Sequence, residues 1–249
     1  MAYASTHRPF SRVAIGGFSL ALLAGFTLIL AGLGHRLGWW DFRPALTLFR
    51  WGAYGGLVAA VLCLFGVILT RPSSARRGLT FAITGFVIGA LVVGLPWQWW
   101  QTAQHVPPIH DITTDTETPP IFVAVLPLRK DAPNPAEYGG PEIAAQQRAG
   151  YPNLAPLLLH TPPQDAFPRA LAAARDMGWE IVAAEPSEGR IEATATTFWF
   201  GFKDDVVVRV KPENGGSRID VRSVSRVGRS DVGANAKRIT AFLARIEHG

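Results

Sequence analysis

The chain has 249 residues, 48% of them hydrophobic, and a formal net charge of +5. Residues 1–100 carry eight arginines and one acid, a net charge of +7, whereas residues 101–249 carry sixteen basic and eighteen acidic residues, a net charge of −2. Because the basic surplus belongs to the apolar amino-terminal part, the remainder lacks the basic face that nucleic-acid binding requires. The single cysteine, Cys63, excludes an internal disulfide and a thiolate metal cluster.

Three uncharged apolar stretches occupy residues 13–33, 51–69 and 79–95. Each is close to the ~20 residues that a helix needs to cross a bilayer, and the first shows no polar stripe of the kind that an amphipathic soluble helix has. The first stretch is too long for the apolar region of a signal peptide, and two more follow it. The sequence therefore predicts a membrane anchor over residues 1–100 with three transmembrane helices. Two GxxxG pairs, Gly52 with Gly56 and Gly85 with Gly89, favour close packing of the second and third helices.

Basic residues around the three stretches predict the orientation. Five arginines precede the first stretch or lie between the second and third, and three lie between the first and second: Arg8, Arg12, Arg71, Arg76 and Arg77, against Arg36, Arg43 and Arg50. By the positive-inside rule the amino terminus is cytoplasmic and the carboxy-terminal domain lies outside. In a bacterium this is an inner-membrane protein with a periplasmic domain, and membrane lipid is its first partner.

Residues 101–163 contain twelve prolines, a density that excludes long helices and central strands. Apolar residues recur among the prolines, so we interpret this segment, the strap, as an extended chain that wraps the domain after it and forms one unit with it. Short strands are predicted near residues 121–126 and a helical turn near 141–149, where Pro141 suits the first helical position.

Residues 164–249 have regular periodicity. A helix is predicted over residues 167–177, capped by Asp165 and ended by Gly178, and a second around Ile239 and Phe242. Strands are predicted at residues 179–184, 190–197, 205–211 and 218–225, joined by short turns that make neighbours antiparallel. The fold class is therefore α+β: three transmembrane helices, the strap, and an antiparallel four-stranded meander with two helices packed on one face.

Strand alternation separates an apolar face, to be covered by the helices, from a polar face. The polar face presents these side chains: Glu192, Thr194, Thr196, Asp205, Arg209, Lys211, Arg218, Asp220 and Arg222. We favour a solvated face crossed by exposed ion pairs, each contributing only ~0–1 kcal/mol. The alternative is that Arg209 and Arg222 form part of a binding surface.

A polar cluster joins the last strand to the last helix, where free N–H groups and the helix dipole favour an anion such as a phosphate, a carboxylate or a lipid headgroup. With Arg209 and Arg222, its candidate ligand-binding residues are Ser223, Ser225, Arg226, Arg229, Ser230, Asp231 and Asn235. The alternative is that Ser230 and Asp231 merely cap the helix while Arg226 pairs with Asp204 or Asp205.

Two further groups are secondary candidates. Residues 198–202 hold four aromatics in five positions, including Trp199, Phe200 and Phe202, next to Asp204. We favour their packing beneath the strap over an exposed patch that touches membrane, ligand or partner.

The second group is His110, Asp111 and Asp115, which lacks the spacing of a metal site. Neighbouring Asp204 and Asp205 face opposite sides of a strand and cannot act as an acid/base pair. The sequence therefore predicts no catalytic residues, no metal and no cofactor.

Three runs carry a family resemblance: residues 190–209, residues 220–239, and His110–Asp115 followed by Pro119 and Pro120. Over about residues 105–247 the chain resembles the domain-of-unknown-function family fourteen ninety-nine. The resemblance implies an extracytoplasmic domain, because members are typically bacterial envelope proteins with amino-terminal membrane spans, and some plant relatives go to the thylakoid lumen. It implies a fold and a location but no reaction.

Three functions remain open. The leading hypothesis is a binding or scaffolding domain for an anionic envelope component or a membrane protein partner. The alternatives are an enzyme that modifies envelope lipid or glycan and a structural subunit of a membrane complex.

Overall fold

The computed structural model describes residues 8–248. Its chain forms two compact units: an amino-terminal unit that ends at Gln101 and includes Trp199–Gly201, and a second unit of Thr102–Phe198 and the residues from Phe202 onward. Three long apolar helices come first, followed by an antiparallel sheet with helices, which confirms the predicted α+β class.

The apolar stretches form helices α1 (Arg12–Arg36), α2 (Phe42–Leu69) and α3 (Leu79–His105). Among residues 8–248, these three helices are long and apolar enough to cross a membrane. At 1.5 Å per residue they span roughly 38–42 Å, which exceeds the ~30 Å hydrocarbon core of a bilayer. Their lengths and compositions are those of a membrane protein.

Glycine allows the second and third helices to approach closely, as the GxxxG spacing predicts. A Cβ added to Gly89 would lie 2.9 Å from the carbonyl oxygen of Gly56 and 3.0 Å from the amide nitrogen of Ala60. Since real Cβ atoms do not approach a backbone so closely, only glycine fits at this crossing.

The sheet of the second unit has six antiparallel strands within the described residues. They are β1 (Asp111–Thr113), β2 (Leu157–Leu159), β3 (Glu180–Glu185), β4 (Arg190–Thr196), β5 (Lys203–Glu213) and β6 (Gly216–Ser225). The order is β1-β6-β5-β4-β3, and β2 also pairs with β6. The meander β3–β6 is the predicted one, and the strap adds β1 and β2 to the edge of β6 that the meander leaves unpaired.

The strand predicted near residues 121–126 is wrong. The backbone N–H groups of Val123, Ala124 and Val125 donate to the carboxylate of Glu192 rather than to a neighbouring strand. A 3-10 helix, Leu126–Arg129, follows at once. Residues 123–125 form a bend and a turn without a strand ladder, because a side chain accepts their N–H groups.

The helices of the second unit are α4 (Gly140–Gly150), α5 (Pro163–Asp176) and α6 (Ala234–His248). Helices α5 and α6 cover the apolar face as predicted: Val206, Val208 and Val210 share a core with Phe167 and Phe242. The predicted helical turn at 141–149 is α4. The predicted Asp165 cap is wrong, since α5 begins two residues earlier, at a proline whose fixed φ suits the first helical position.

Candidate functional site

Most charged side chains on the polar face of the sheet lie under the strap and not in solvent, although Thr196 is exposed. Glu192, Asp205 and Asp220 are each 0% exposed, and Arg222 is 2% exposed. The prediction of a solvated face is therefore wrong. The physical reason is that two strap residues, Phe122 and Val125, pack on Val207 and Val224, which are apolar residues within this face.

Arg222 and Asp111 form a buried bidentate ion pair beneath the strap. The distances are 2.9 Å from Nε to Oδ1 and 2.8 Å from Nη2 to Oδ2. The guanidinium also donates to the carbonyl oxygens of Pro120 and Ala136, 3.2 and 2.7 Å away. The rings of Phe122 and Tyr138 lie 5.1 and 5.4 Å from its central carbon. Both members of the pair are thus used within the domain.

The hydroxyl of Tyr138 is buried beside this pair and has no hydrogen-bond partner within the described residues. Burial, and then the negative charge of Asp111, raise the pKa of Tyr138 to about 12. The phenol is therefore protonated and inert as a base at neutral pH.

Asp205 is the centre of a second buried group. It accepts hydrogen bonds from Arg129 Nη1 at 2.6 Å, Arg226 Nη2 at 2.8 Å and Thr194 Oγ1 at 2.7 Å. Burial alone would raise the pKa of this carboxyl, but the hydrogen bonds from Arg226, Thr194 and Arg129 outweigh it and hold the pKa below its ordinary value. Arg226 was predicted either to bind an anion or to pair with Asp204 or Asp205, and in the structure it pairs with Asp205.

Arg209 belongs to a third group at the far end of the same face. Its Nη2 lies 2.8 Å from Asp220 Oδ2 and 3.0 Å from Asp115 Oδ2. Arg218 bridges the same two carboxylates at 2.9 and 3.2 Å. Burial raises the pKa of Asp115, but the hydrogen bonds from Thr118 and Glu117 and the charge of Arg218 lower it overall. Arg209 is therefore already neutralised.

Glu192 fastens the strap, a role that the sequence analysis missed. Its carboxylate accepts the N–H groups of Val123, Ala124 and Val125 at 2.9–3.1 Å and pairs with Arg190. The available signal was a glutamate on the polar face of a strand, but its partners lie 67–69 residues away in the chain.

The start of α6 binds its own side chains. Asp231 accepts from the N–H groups of Gly233 and Asn235 at 2.8 and 2.7 Å. Ser230 accepts from the N–H of Val232 at 3.1 Å. Burial raises the pKa of Asp231 more than these hydrogen bonds lower it. Ser230 and Asp231 therefore cap the start of α6, which was the alternative to an anion site there.

Asn235 links this helix start to β6 and to the strap. Ser223 Oγ donates to Asn235 Oδ1 at 2.7 Å, and Asn235 Nδ2 donates to Ser225 Oγ and to the carbonyl of His110, both at 3.0 Å. On the same side of the sheet, Arg238 pairs with Asp204 at 2.6 Å. Since Asp204 and Asp205 bind partners from different elements, they do not form an acid/base pair.

Arg229 differs from the other predicted arginines. Its side chain is exposed and forms no hydrogen bond or ion pair with any residue from 8 to 248, while its carbonyl oxygen lies 3.3 Å from His110 Nδ1. The structure thus brings together Ser223, Ser225 and Asn235, and leaves Arg229 in solvent. The part of the chain that the structure describes holds no cluster of three metal-ligating side chains.

The aromatic turn between β4 and β5 does not pack beneath the strap. Trp199 and Phe200 belong to the amino-terminal unit, where the Trp199 ring lies 5.7 Å from Phe49 and 5.8 Å from Trp99. The predicted packing is wrong because these helix aromatics offer a matching apolar surface. Phe198 is 93% exposed, and the N–H of Phe202 donates to Thr197 Oγ1 at 2.8 Å within the turn.

Four apolar side chains of the strap are exposed within eight residues. We call this group the apolar strip, and its members and exposures are Ile121 71%, Val123 48%, Leu126 43% and Leu128 53%. It borders a groove of about 340 Å³ lined by Pro119, Pro120, Arg190 and Arg209, among others. The buried carboxylate of Glu192 holds the backbone under the strip, so this surface is displayed on an ordered chain.

These features define a class of protein: apolar helices of membrane-spanning length joined to an α+β domain whose sheet charges are buried beneath a proline-rich strap. Residues 111–246 match the family model described as "Protein of unknown function (DUF1499)", and the chain belongs to this family. Among curated proteins, none matches the chain.

Proposed function

We propose that the chain is a bacterial inner-membrane protein with a cytoplasmic amino terminus, and that its periplasmic domain is a non-catalytic scaffold. In this proposal the domain binds a partner protein through the apolar strip. The observation that carries the proposal is the exposure of four large apolar side chains within eight residues, on a segment whose backbone is fixed by Glu192.

The internal use of the arginines supports a partner protein over an anionic ligand. Arg222, Arg226 and Arg209 are each paired with a carboxylate that is at least nine-tenths buried. An anion that drew one of them away would leave that carboxylate unpaired, and breaking a buried pair costs about 3–5 kcal/mol. Apart from Arg229, the arginines predicted to bind an anion are therefore occupied by carboxylates of the domain itself.

The shape and the charge of the strip support a protein contact over a lipid contact. Single exposed apolar residues are ordinary, but four within eight residues of an ordered segment are typical of an interaction site. An ordered surface also loses little conformational entropy on binding. Because residues 101–249 carry a net charge of −2 and the arginines of the adjoining groove are paired, anionic lipid has no electrostatic attraction to this surface.

A photo-crosslinking phenylalanine analogue placed at Leu128 in living cells tests the proposal. The control carries the same analogue at Leu158, an equally apolar side chain that is 61% exposed in β2. We expect one discrete protein adduct from position 128, absent from position 158, and identified again by reciprocal co-purification.

A second arm removes the strip while leaving the buried residues in place. Ile121→Ser should abolish the adduct at position 128 without changing the unfolding midpoint of the full chain. Adducts of equal yield at both positions, adducts with lipid alone, or an adduct that survives Ile121→Ser would contradict the proposal.

A further inference from the structure

Five arginines lie together at one end of the helical unit, which we call the arginine end: Arg8, Arg12, Arg71, Arg76 and Arg77. Helix α1 begins there, α2 ends there and α3 begins there. All five side chains are exposed. The single acid of residues 1–100, Asp41, precedes α2 and therefore lies at the opposite end of the helices. The arginine end thus carries a cationic charge that its own unit does not neutralise.

Backbone hydrogen bonds hold the two arginine-bearing segments together. The N–H of Ser11 donates to the carbonyl of Arg77 at 2.9 Å, and the N–H of Arg77 donates to the carbonyl of Pro9 at 3.0 Å. Ser11 also caps α1 through its hydroxyl, which accepts from the N–H of Ala14 at 3.3 Å. The chain before α1 and the loop between α2 and α3 therefore form one ordered surface.

Two of the arginines brace this surface. Arg8 Nη1 donates to the carbonyl of Pro72 at 2.8 Å. The guanidinium carbon of Arg77 lies 4.0 Å above the ring of Phe10, in a cation–π contact. The other three, Arg12, Arg71 and Arg76, have side chains with no hydrogen bond or ion pair to the described residues. Their guanidinium groups are available to an external anion.

The helix lengths place this end at the level of lipid headgroups. Helices of roughly 38–42 Å extend beyond a ~30 Å hydrocarbon core, so residues at their ends lie among phosphates. A guanidinium donates two parallel hydrogen bonds to phosphate oxygens, which makes arginine a suitable residue for such groups.

We infer that the arginine end is a binding site for the phosphate headgroups of anionic phospholipids. This inference goes beyond the proposed partner binding and does not depend on the apolar strip. It rests on the three helices lying in a bilayer, whichever side the arginine end faces. Each arginine near an anionic surface strengthens binding about five-fold, so removing two lowers it about thirty-fold.

Native mass spectrometry of the full chain in neutral detergent tests the inference. Phosphatidylglycerol and phosphatidylcholine with identical acyl chains are added at equal concentration, and the retained adducts are counted. We expect a preference for phosphatidylglycerol that falls about thirty-fold in Arg71→Gln with Arg76→Gln. Arg43→Gln with Arg50→Gln, which removes two exposed arginines from the amino-terminal part of α2, should leave the preference unchanged.

The charge-conserving pair Arg71→Lys with Arg76→Lys should retain most of the preference, which separates loss of charge from loss of fold. Equal retention of the two lipids by the unaltered chain would overturn the inference without touching the partner proposal. An equal loss in both glutamine pairs would also overturn it. Displacement of the lipid by millimolar inorganic phosphate would indicate a site for free phosphate and contradict a headgroup site.

Discussion

Replacing Asp205 with asparagine should destabilise the second unit strongly. Asp205 is 0% exposed and is shared by two arginines, Arg129 and Arg226, whose side chains are 3% and 15% exposed. Asn keeps the shape but removes the charge, which leaves two largely buried guanidinium groups without a counter-charge. Breaking a buried pair costs about 3–5 kcal/mol, against a total stability of roughly 5–15 kcal/mol for a domain.

Pulse proteolysis of the full chain in detergent across a urea series measures this loss. The matched control is Asp131→Asn, an exposed strap carboxylate that has no ion pair within the described residues, and it should change the unfolding free energy by no more than about 0.5 kcal/mol. In a double-mutant cycle, Asp205→Asn and Arg226→Gln should be less damaging together than the sum of the two single changes. A cost below about 1 kcal/mol for Asp205→Asn, or strict additivity with Arg226→Gln, would refute a buried structural pair.

Three further predictions concern other contacts. Gly89→Ala should destabilise the helical unit and lower its thermal unfolding midpoint in detergent, whereas Gly94→Ala should not, because an added Cβ at Gly94 meets no atom within 4 Å. Equal midpoints for the two variants would contradict the close crossing of α2 and α3. Glu192→Gln should expose the strap to limited proteolysis near Ala124, since the three N–H donors lose their charged acceptor; unchanged cleavage would contradict the fastening role. The pKa of Asp205 is lower in the folded chain than the ~3.9 of an unfolded aspartate, so its stabilising contribution is present above about pH 4 and disappears as the pH falls through the folded pKa. The unfolding free energy of Asp205→Asn should therefore fall less steeply with decreasing pH than that of the unaltered chain.

The elements with strong local periodicity were predictable from the sequence. The three apolar stretches, the meander and the two covering helices all follow from patterns within windows of ten to twenty residues. Even the opposite directions of Asp204 and Asp205 follow from the alternation of a strand. These features depend on neighbours in the chain, so the chain alone encodes them.

What covers the polar face was not predictable in this way. Alternation correctly placed Glu192 and Arg222 on one face, but their partners are strap residues 67–111 positions away. A charged face that is solvated and one that is buried under a strap have the same local pattern. The difference lies in Phe122 and Val125, which look like ordinary apolar residues of a proline-rich segment until the fold brings them onto the sheet.

The anion site stays a prediction, but the structure shows internal partners for most of its residues. Arginines, serines and an asparagine around a helix start suit an anion, but the same residues suit each other when carboxylates are close enough. Asp205 satisfies Arg226, and Asp231 satisfies the start of α6. Arg229, which carries the same charge in the same run, is the one that the fold leaves in solvent.

Cysteine labelling in intact cells with a permeabilised outer membrane tests the central claim. The claim is that the second unit lies on the periplasmic side of the inner membrane and the arginine end on the cytoplasmic side. Cys63 is buried and can remain in place during treatment with a membrane-impermeant maleimide. We predict that Leu158→Cys, which is 61% exposed and lies outside the apolar strip, is labelled in intact cells, and that Ser73→Cys, between α2 and α3, is labelled only after lysis. Labelling of Ser73→Cys in intact cells, with Leu158→Cys protected until lysis, would contradict the account.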